Sequence, residues 1–539
     1  MSVVNILVKD IYASPYIGED DIFKIAIKKI KDSRLPVSSN SCRIYKKSID
    51  ARKKDNIKLV YSVCVQCEVS EDFDTESLRA FSFSLLKSEE LCIKYGSDSM
   101  RNRPLVVGFG PAGMFCALLL AEHGYKPVVI ERGDDVDARQ MKKKQFYDTH
   151  LLDSESNIQF GAGGAGTFSD GKLVTRINDP ACSYVLRVLH ELGAPEEILY
   201  KAKPHVGTDK LLSVVKNADE RIKEYGGEIH YRTRLDYINF NSKGEVVSVN
   251  VSGGREIECG ALVLCIGHSA RDTYKMLCES GLMLIPKPFS VGVRIEHLRS
   301  DIDRAMYGDE ALSEILGPAE YNLSHNTKSR GVYTFCMCPG GEVVAATSEE
   351  GGVVVNGMSN YRRDGVNSNC AVAVSVFESD YGATVDGAIN FQRHLERTAY
   401  NAGGGEYAAP VCVLGDFFEK RGSTSPTRVK PTYMEGTNFR LCDFSAFTPD
   451  FIYNSLRDGI AAFDKKLRGF ASPTAVLSAF ETRTSAPVRI IRNESRNAPC
   501  HDNLFPCGEG AGYAGGITSA AVDGLKTALE IMSRFAPLN

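Results

Sequence analysis

Gly108, Gly110 and Gly113 stand at G-x-G-x-x-G spacing in the string Gly108-Phe109-Gly110-Pro111-Ala112-Gly113, and Glu131 follows 23 positions after the first of them. Glycines so spaced do three jobs around a dinucleotide. The first permits a tight turn, the second lets the backbone approach a pyrophosphate, and the third lets helix and strand pack closely. An acid in the place of Glu131 accepts hydrogen bonds from a ribose diol. Pro111 and Ala112 would open a helix whose free N–H groups and positive dipole end face the phosphates. The elements that must position these residues are present. The apolar stretch Pro104–Val107 precedes the glycines, a run rich in Ala and Leu from Met114 to Glu122 follows them, and Pro127–Ile130 leads into Glu131. Strand, turn, helix, strand and acid in this order predict a dinucleotide site.

Three more segments carry the same kind of signal. Gly161, Gly163, Gly164, Gly166 and Gly171 crowd around Thr167 within eleven residues; the segment either lets backbone approach a flat ligand or forms a flexible loop. The buried-looking run Leu262–Ile266 ends at Gly267 and His268, which places small residues at the carboxyl edge of a parallel sheet. The run from Asn503 to Gly524 reads as strand, Gly508-Glu509, a glycine-rich turn, and then a helix of small residues opened by Gly516, Ile517 and Thr518. Its N-terminus is again suited to a negative or electron-rich group.

At 539 residues the chain has room for two to four domains. Its 43% hydrophobic and 24% charged content is that of an ordinary globular protein. A net charge of −4 implies no general affinity for nucleic acid or anionic membrane. No apolar run reaches the roughly 20 residues that span a bilayer, and no signal peptide is read at the N-terminus. Sixteen scattered cysteines suggest free thiols in a reducing cytoplasm rather than a disulfide framework. Cys64 and Cys67 have C-x-x-C spacing but sit in a strand-like run, which lacks the helix N-terminus that activates such a thiol. Cys336 and Cys338 have no matching second pair, so zinc is not expected; a redox thiol there stays open. No metal ligands are assigned.

Residues 1–100 predict a small α+β domain, with strands at Val3–Val8, Ser41–Ser48 and Ile57–Val69 and helices at Glu19–Lys31 and Thr75–Leu86. A ferredoxin-like sandwich fits this order. Residues 24–58 hold twelve Lys or Arg, Arg34 among them, against three Asp, a net +9. That window is either a solvated face or a surface for a polyanion such as RNA. After a polar linker, Tyr95–Arg103, the dinucleotide fold occupies 101–284 and returns at 475–539. Residues 285–474, rich in strand and glycine, are expected as an inserted substrate or cap domain. The fold class is α/β: a Rossmann-like domain, its insert and the small N-terminal domain.

Taken together these segments resemble the FAD-binding superfamily typified by glutathione reductase. The strings FGAGGAGTFSDGKL, KPFSVGVRIEH, TFCMCPGGEVV, SEEGGVVVNGMSNYRRD and ETRTSAPVRI resemble, more narrowly, a bacterial family labelled FAD-dependent or NAD(FAD)-utilising dehydrogenase. The resemblance implies FAD. Gly108, Gly110, Pro111, Ala112 and Gly113 would hold its ADP half, with Glu131 and Arg132 at the ribose. Gly163, Gly164, Gly166, Thr167 and Gly267 would approach the cofactor. Gly508 and Glu509 would take the ribityl chain, with Glu where the superfamily usually has Asp, and Gly516, Ile517 and Thr518 would point at the flavin. No second complete β-G-x-G-x-x-G-α-β unit is found, so one FAD is expected and NAD(P)H only as a transient donor.

Flavin carries redox chemistry itself, and the protein orients it and places substrate. Glu481, Arg483, Arg489 and Arg492 fall within twelve residues; they bind an anionic substrate, stabilise reduced flavin, whose N1 side becomes negative, or form a structural ion-pair network. His268 is a candidate proton donor with a pKa near neutrality, and the catalytic candidates are His268, Arg483 and Arg489. Lys287, Arg294, Arg362 and Arg363 face either pocket or solvent. The expected function is a cytoplasmic oxidoreductase of a small organic substrate. The rivals are a flavin-dependent RNA-modifying or RNA-associated enzyme that docks through the basic N-terminal window, and a non-enzymatic flavoprotein that serves as redox sensor or scaffold.

Overall fold

The computed structural model describes every residue except 1, 34, 36, 72, 87–90, 310, 311, 328, 426, 427 and 539. The N-terminal unit is a four-stranded antiparallel sheet in the order Val37–Asp50, Lys58–Val69, Ser2–Ala13, Phe83–Leu85. Helix Glu19–Asp32 packs Ile22, Ala26 and Ile30 onto it, an i, i+4, i+8 stripe that the sequence shows plainly. The expected helix Thr75–Leu86 is instead a 3-10 turn, Thr75–Phe81, and a short strand. Asp74 caps the turn, and Ser82 in the left-handed region ends it. Cys64 and Cys67 are buried in the sheet, and burial pushes the Cys67 thiol up to about 11.

Most of the basic window is exposed on this unit, Lys24, Lys28, Lys31, Arg43, Lys46, Arg52–Lys54 and Lys58 included; Arg34 lies outside the described residues. One edge of the basic surface borders the next unit. The edge strand docks on the next unit, with Lys47 N–H donating to Tyr200 O at 2.8 Å and Ala202 N–H to Lys47 O at 2.9 Å. Arg43 and Lys46 line a second cleft against Val174 and Lys201.

A parallel five-stranded sheet forms the centre, ordered Leu504–Pro506, Ala261–Leu264, Pro104–Val107, Val128–Ile130, Glu228–His230. Its inner strands are apolar on both faces because helices or loops cover both. Helix Pro111–Glu122 buries nearly every side chain, packing against Ile517–Arg534. The two helices approach so closely that a Cβ on Gly524 would lie 2.1 Å from Ala112 O. An antiparallel meander, Leu235–Phe240, Val246–Val251 and Arg255–Glu258, flanks the sheet. Its third strand, Arg-Glu-Ile-Glu, lacks the apolar alternation of a half-buried strand and is exposed along most of its length. The segment Tyr95–Arg103 is not a free linker: Gly96 N–H donates to Met532 O and Ala536 N–H to Asp98 O.

Between residues 284 and 482 a seven-stranded mixed sheet is built around Asn367–Val376, Phe289–Leu298 and Val476–Glu481. The chain therefore leaves this sheet after Glu481, not before residue 475 as expected. Val476–Glu481 is buried at every position, with Ser478 and Glu481 among apolar residues, so its local pattern does not say which sheet it joins; its register with Phe289–Leu298 decides that.

Candidate active site

One cleft of about 340 Å³ runs along the carboxyl ends of the parallel strands, a size within the range of small-molecule sites. At its near end Gly108 adopts φ +97°, where a Cβ would lie 2.3 Å from Cys265 O, and a Cβ on Gly113 would lie 1.9 Å from Gly108 O. Both positions need glycine for sterics alone. Glu131 is buried beside them. Its Oε2 accepts from Phe109 N–H at 2.8 Å, and its Oε1 from Gly133 and Gly161 N–H, each at 2.9 Å. A carboxylate offers about four acceptor positions, so one remains for a ribose hydroxyl. Arg132 is clamped by Glu155 and Asp272 and lies 4.1 Å over the Phe160 ring.

Midway along, the helices beginning at Pro111 and Ile517 present N-termini that no side chain caps. His268 faces Glu509 across 3.9 Å, and its Nε2 has no hydrogen-bond partner. Burial, with Arg483 and Arg271 nearby, pushes the imidazole down to about 3. His268 is therefore neutral at pH 7, which corrects the expectation of a near-neutral pKa. Glu509 is raised to about 7 by burial, with Lys287 opposing. Arg483 forks onto Glu396 at 3.1 Å through both Nε and Nη2, and Glu396 also takes Arg271 at 2.7 and 2.8 Å.

The far wall comes from the inserted sheet and from the loop after the second glycine cluster. Lys172 bonds Asp170 at 2.6 Å and Glu320 at 3.2 Å. Arg363 reaches the same two acids, which answers its ambiguity: it is buried in a network, whereas Arg362 is exposed. Arg294 is fully buried with its Nε 3.2 Å from Glu481 Oε2. Burial outweighs that attraction and raises the Glu481 carboxyl to about 8.

Of the residues singled out from sequence, Gly108, Gly110, Pro111, Ala112, Glu131 and Arg132 line the near part of the cleft. Gly164, Gly166, Gly267, Glu509, Gly516 and Ile517 line its middle, with His268 and Arg483. Gly113 and Gly163 do not line it; they support the turns behind it. Thr167 hydroxyl donates to Ala162 O and Thr518 hydroxyl to Leu173 O, so both are tied inward, and Gly508 is bound through its N–H to Asp523. Arg489 is off the cleft, 5.1 Å over Tyr513, because its strand Val488–Ile490 turns it away. Asp170, Lys172, Arg234 and Asn356 line the cleft and were not singled out. Lys172 and Asp170 lay inside a quoted motif, and only their alternation of charge could have marked them.

The cleft fits FAD on observations of its own. It pairs two uncapped helix N-termini with glycines at 267, 515 and 516, where a Cβ would meet open space. A family model described as FAD-dependent protein, C-terminal domain-like, matches residues 288–484, and one described only as a domain of unknown function matches 14–66. Solved structures that the chain matches include the halogenase PltM, 12% identical with a TM-score of 0.37, covering 80% of this chain and 67% of that one. CtdE in complex with FAD is 13% identical with a TM-score of 0.32, covering 80% and 86%. A geranylgeranyl bacteriochlorophyll reductase-like protein from Thermoplasma acidophilum is 12% identical with a TM-score of 0.34, covering 80% and 78%. The glycine turn, the parallel sheet and the FAD-dependent domain make this molecule a flavoprotein whose cofactor is FAD. The chain belongs to the family of a Clostridium beijerinckii protein named only as an uncharacterized protein, 48% identical over 516 residues, which are 94% of this chain and 95% of the relative.

Proposed function

We propose that this flavoprotein is a dehydrogenase or reductase that moves a hydride between flavin N5 and a small organic substrate held at the far end of the cleft. The observation that carries the reading is one continuous cleft, with a dinucleotide turn at one end, Arg483 midway and Lys172 and Glu481 at the other end. Bound FAD supplies the two-electron chemistry. The protein's own groups do the rest. Lys172 offers a cation to an anionic substrate. Arg483 is held rigid by Glu396, and neutral His268 offers one ring nitrogen as a hydrogen-bond partner. Glu481, protonated below about pH 8, holds a proton at the cleft wall.

We read the N-terminal strand order as a ferredoxin-like sandwich whose second helix has shrunk to a 3-10 turn. NAD(P)H would act only by docking at the flavin face, since among the described residues a single parallel sheet carries a glycine turn. The Gly161–Gly166 loop leads into only a four-residue 3-10 turn. No described helix is long and apolar enough to cross a membrane.

The test is anaerobic stopped-flow mixing of the FAD-loaded protein with a panel of hydride donors. At least one donor should reduce the flavin far faster than it reduces free FAD, with a primary deuterium isotope effect on the transferred hydrogen. Rates equal to those of free FAD across alcohols, amines, hydroxy acids and NAD(P)H would end this reading.

A pH dependence follows from Glu481. The native carboxyl is raised from an ordinary value of about 4.5, so the protonated form persists up to about pH 8 and is lost above it. Flavin reduction that uses this proton should fall roughly tenfold per unit above that point. Glu481→Gln should abolish that limb while leaving FAD binding intact; an unchanged alkaline limb would remove Glu481 from the role. The same shift makes the group a stability cost that grows as pH rises from about 4.5 to about 8, because the unfolded carboxyl binds fewer protons there.

A further inference from the structure

Cys336 and Cys338 lie in strand Gly331–Cys338 of the inserted sheet. In a regular strand residues two apart share a face about 6.6 Å apart along the chain. Here the pairing with Asn367–Val376 slips between Phe335 and Cys338, and Cys336 takes φ +44°. The bulge bends the strand and brings the two Sγ atoms to 4.0 Å. Cys336 lines the cleft, and Cys338 stands behind it, fully buried.

The charges around the pair suit a thiolate. Arg294, with no exposed surface, donates to Cys336 O at 3.0 Å and points Nη2 at Cys338 Sγ at 3.7 Å. The Cys338 S–H, and behind it the cations Arg294 and Lys172, hold Cys336 below the ordinary thiol range at about 6, while Cys338 is pushed up by that same contact and by burial. Low-pKa, accessible thiols beside a resolving cysteine are the redox-active kind. Cys265 and Cys507 also border the cleft, but the contact with Cys507 and burial push the Cys265 thiol well up, with no cation to oppose them.

We propose that Cys336 and Cys338 are a redox-active dithiol that exchanges two electrons with the bound FAD. Oxidation forms one S–S bond between them and breaks the Cys338 S–H bond. That proton and two electrons pass to oxidised FAD, so atoms and charge balance with no further reactant. The sulfurs must close from 4.0 Å to about 2 Å, a movement that the bulge, not a regular strand, accommodates. The proposal rests on bound FAD and is independent of which organic substrate the enzyme takes. It gives the protein a second two-electron store beside its flavin.

The test is an anaerobic dithionite titration of the FAD-loaded protein, with differential alkylation and peptide mass spectrometry at each point. The wild type should take up two electrons per FAD more than Cys336→Ser or Cys338→Ala. In the oxidised protein the peptide holding both cysteines should resist alkylation and weigh two hydrogens less, then label twice after reduction. A wild type saturated by the flavin's own two electrons, or cysteines 336 and 338 that alkylate fully in air-oxidised holoprotein, would overturn the proposal. Cys338 is deeply buried, so Cys336→Ser, on the cleft wall, serves where C338A fails to fold. Flavin absorbance of the same sample reports FAD occupancy, so a failed cofactor assignment shows as missing flavin rather than as missing electrons.

Discussion

Glu396→Gln is expected to destabilise the protein by about 3–5 kcal/mol, the usual effect of breaking a buried charge pair by removing one partner. Glu396 is 1% exposed and accepts five hydrogen bonds: two from Arg271, two from Arg483 and one from the Thr482 hydroxyl at 2.7 Å. An amide keeps the shape but not the charge. Two buried guanidinium groups would then share only Glu349, which pairs with Arg271 at 2.9 Å and also serves Arg393. The effect should reach the cleft as well. Arg483 would lose its anchor, and His268 would lose the attraction of Glu396 that favours its charged form. Urea unfolding followed by far-UV circular dichroism gives the measurement; a change below about 1 kcal/mol would show that the cluster is not a connected network. The sign with pH is definite. Burial opposes ionisation of Glu396, but Arg271 and Arg483 hold its carboxyl well below the ordinary range. Its stabilisation is therefore complete above the ordinary carboxylate pKa and is lost as pH falls through the depressed one. The variant should lose that part of the wild type's acid sensitivity.

Glu131→Ala should remove most of the bound FAD and raise its Kd more than tenfold, which is about 1.4 kcal/mol. The reason is wider than one hydrogen bond to a ribose. The carboxylate ties together three separate loops through the N–H groups of Phe109, Gly133 and Gly161. Without it three buried donors lose their acceptor, each at a cost of about 1–3 kcal/mol. The turn around Gly108 and the loop at Gly161 would then drift apart where the adenosine end must sit. Glu131→Gln should fall between wild type and alanine, because its NH2 group must face at least one of those donors. The ratio of flavin to protein absorbance after purification, followed by FAD titration of the stripped protein, reads the effect. Full occupancy in the alanine variant would mean that the glycine turn does not hold the cofactor.

These two glutamates mark the boundary of what could be read in advance. Glu131 was legible because its meaning is local: strand, turn, helix and strand lie within thirty residues, and each glycine has a steric reason that spacing alone expresses. Glu396 was not. Its partners lie 125 residues before it and 87 residues after it, and its own helix, Val385–Gly403, shows only an ordinary amphipathic pattern. Arg483 and Arg489 looked alike in ETRTSAPVRI, yet one enters the cleft and the other packs on Tyr513. The cause is strand direction, which a string of residues does not carry.

By itself the sequence determined the dinucleotide turn, the parallel-sheet core and the presence of an inserted strand-rich unit, since these follow from short-range sterics and hydrophobic period. Only the tertiary structure decided that Val476–Glu481 belongs to the inserted sheet, that His268 is neutral and Glu481 protonated, and that Cys336 and Cys338 meet at the cleft wall. Protonation depends on burial and on charges brought together from distant segments, and the approach of the two sulfurs depends on a bulge set by pairing with another strand. Both are properties of long-range packing, which no local pattern encodes.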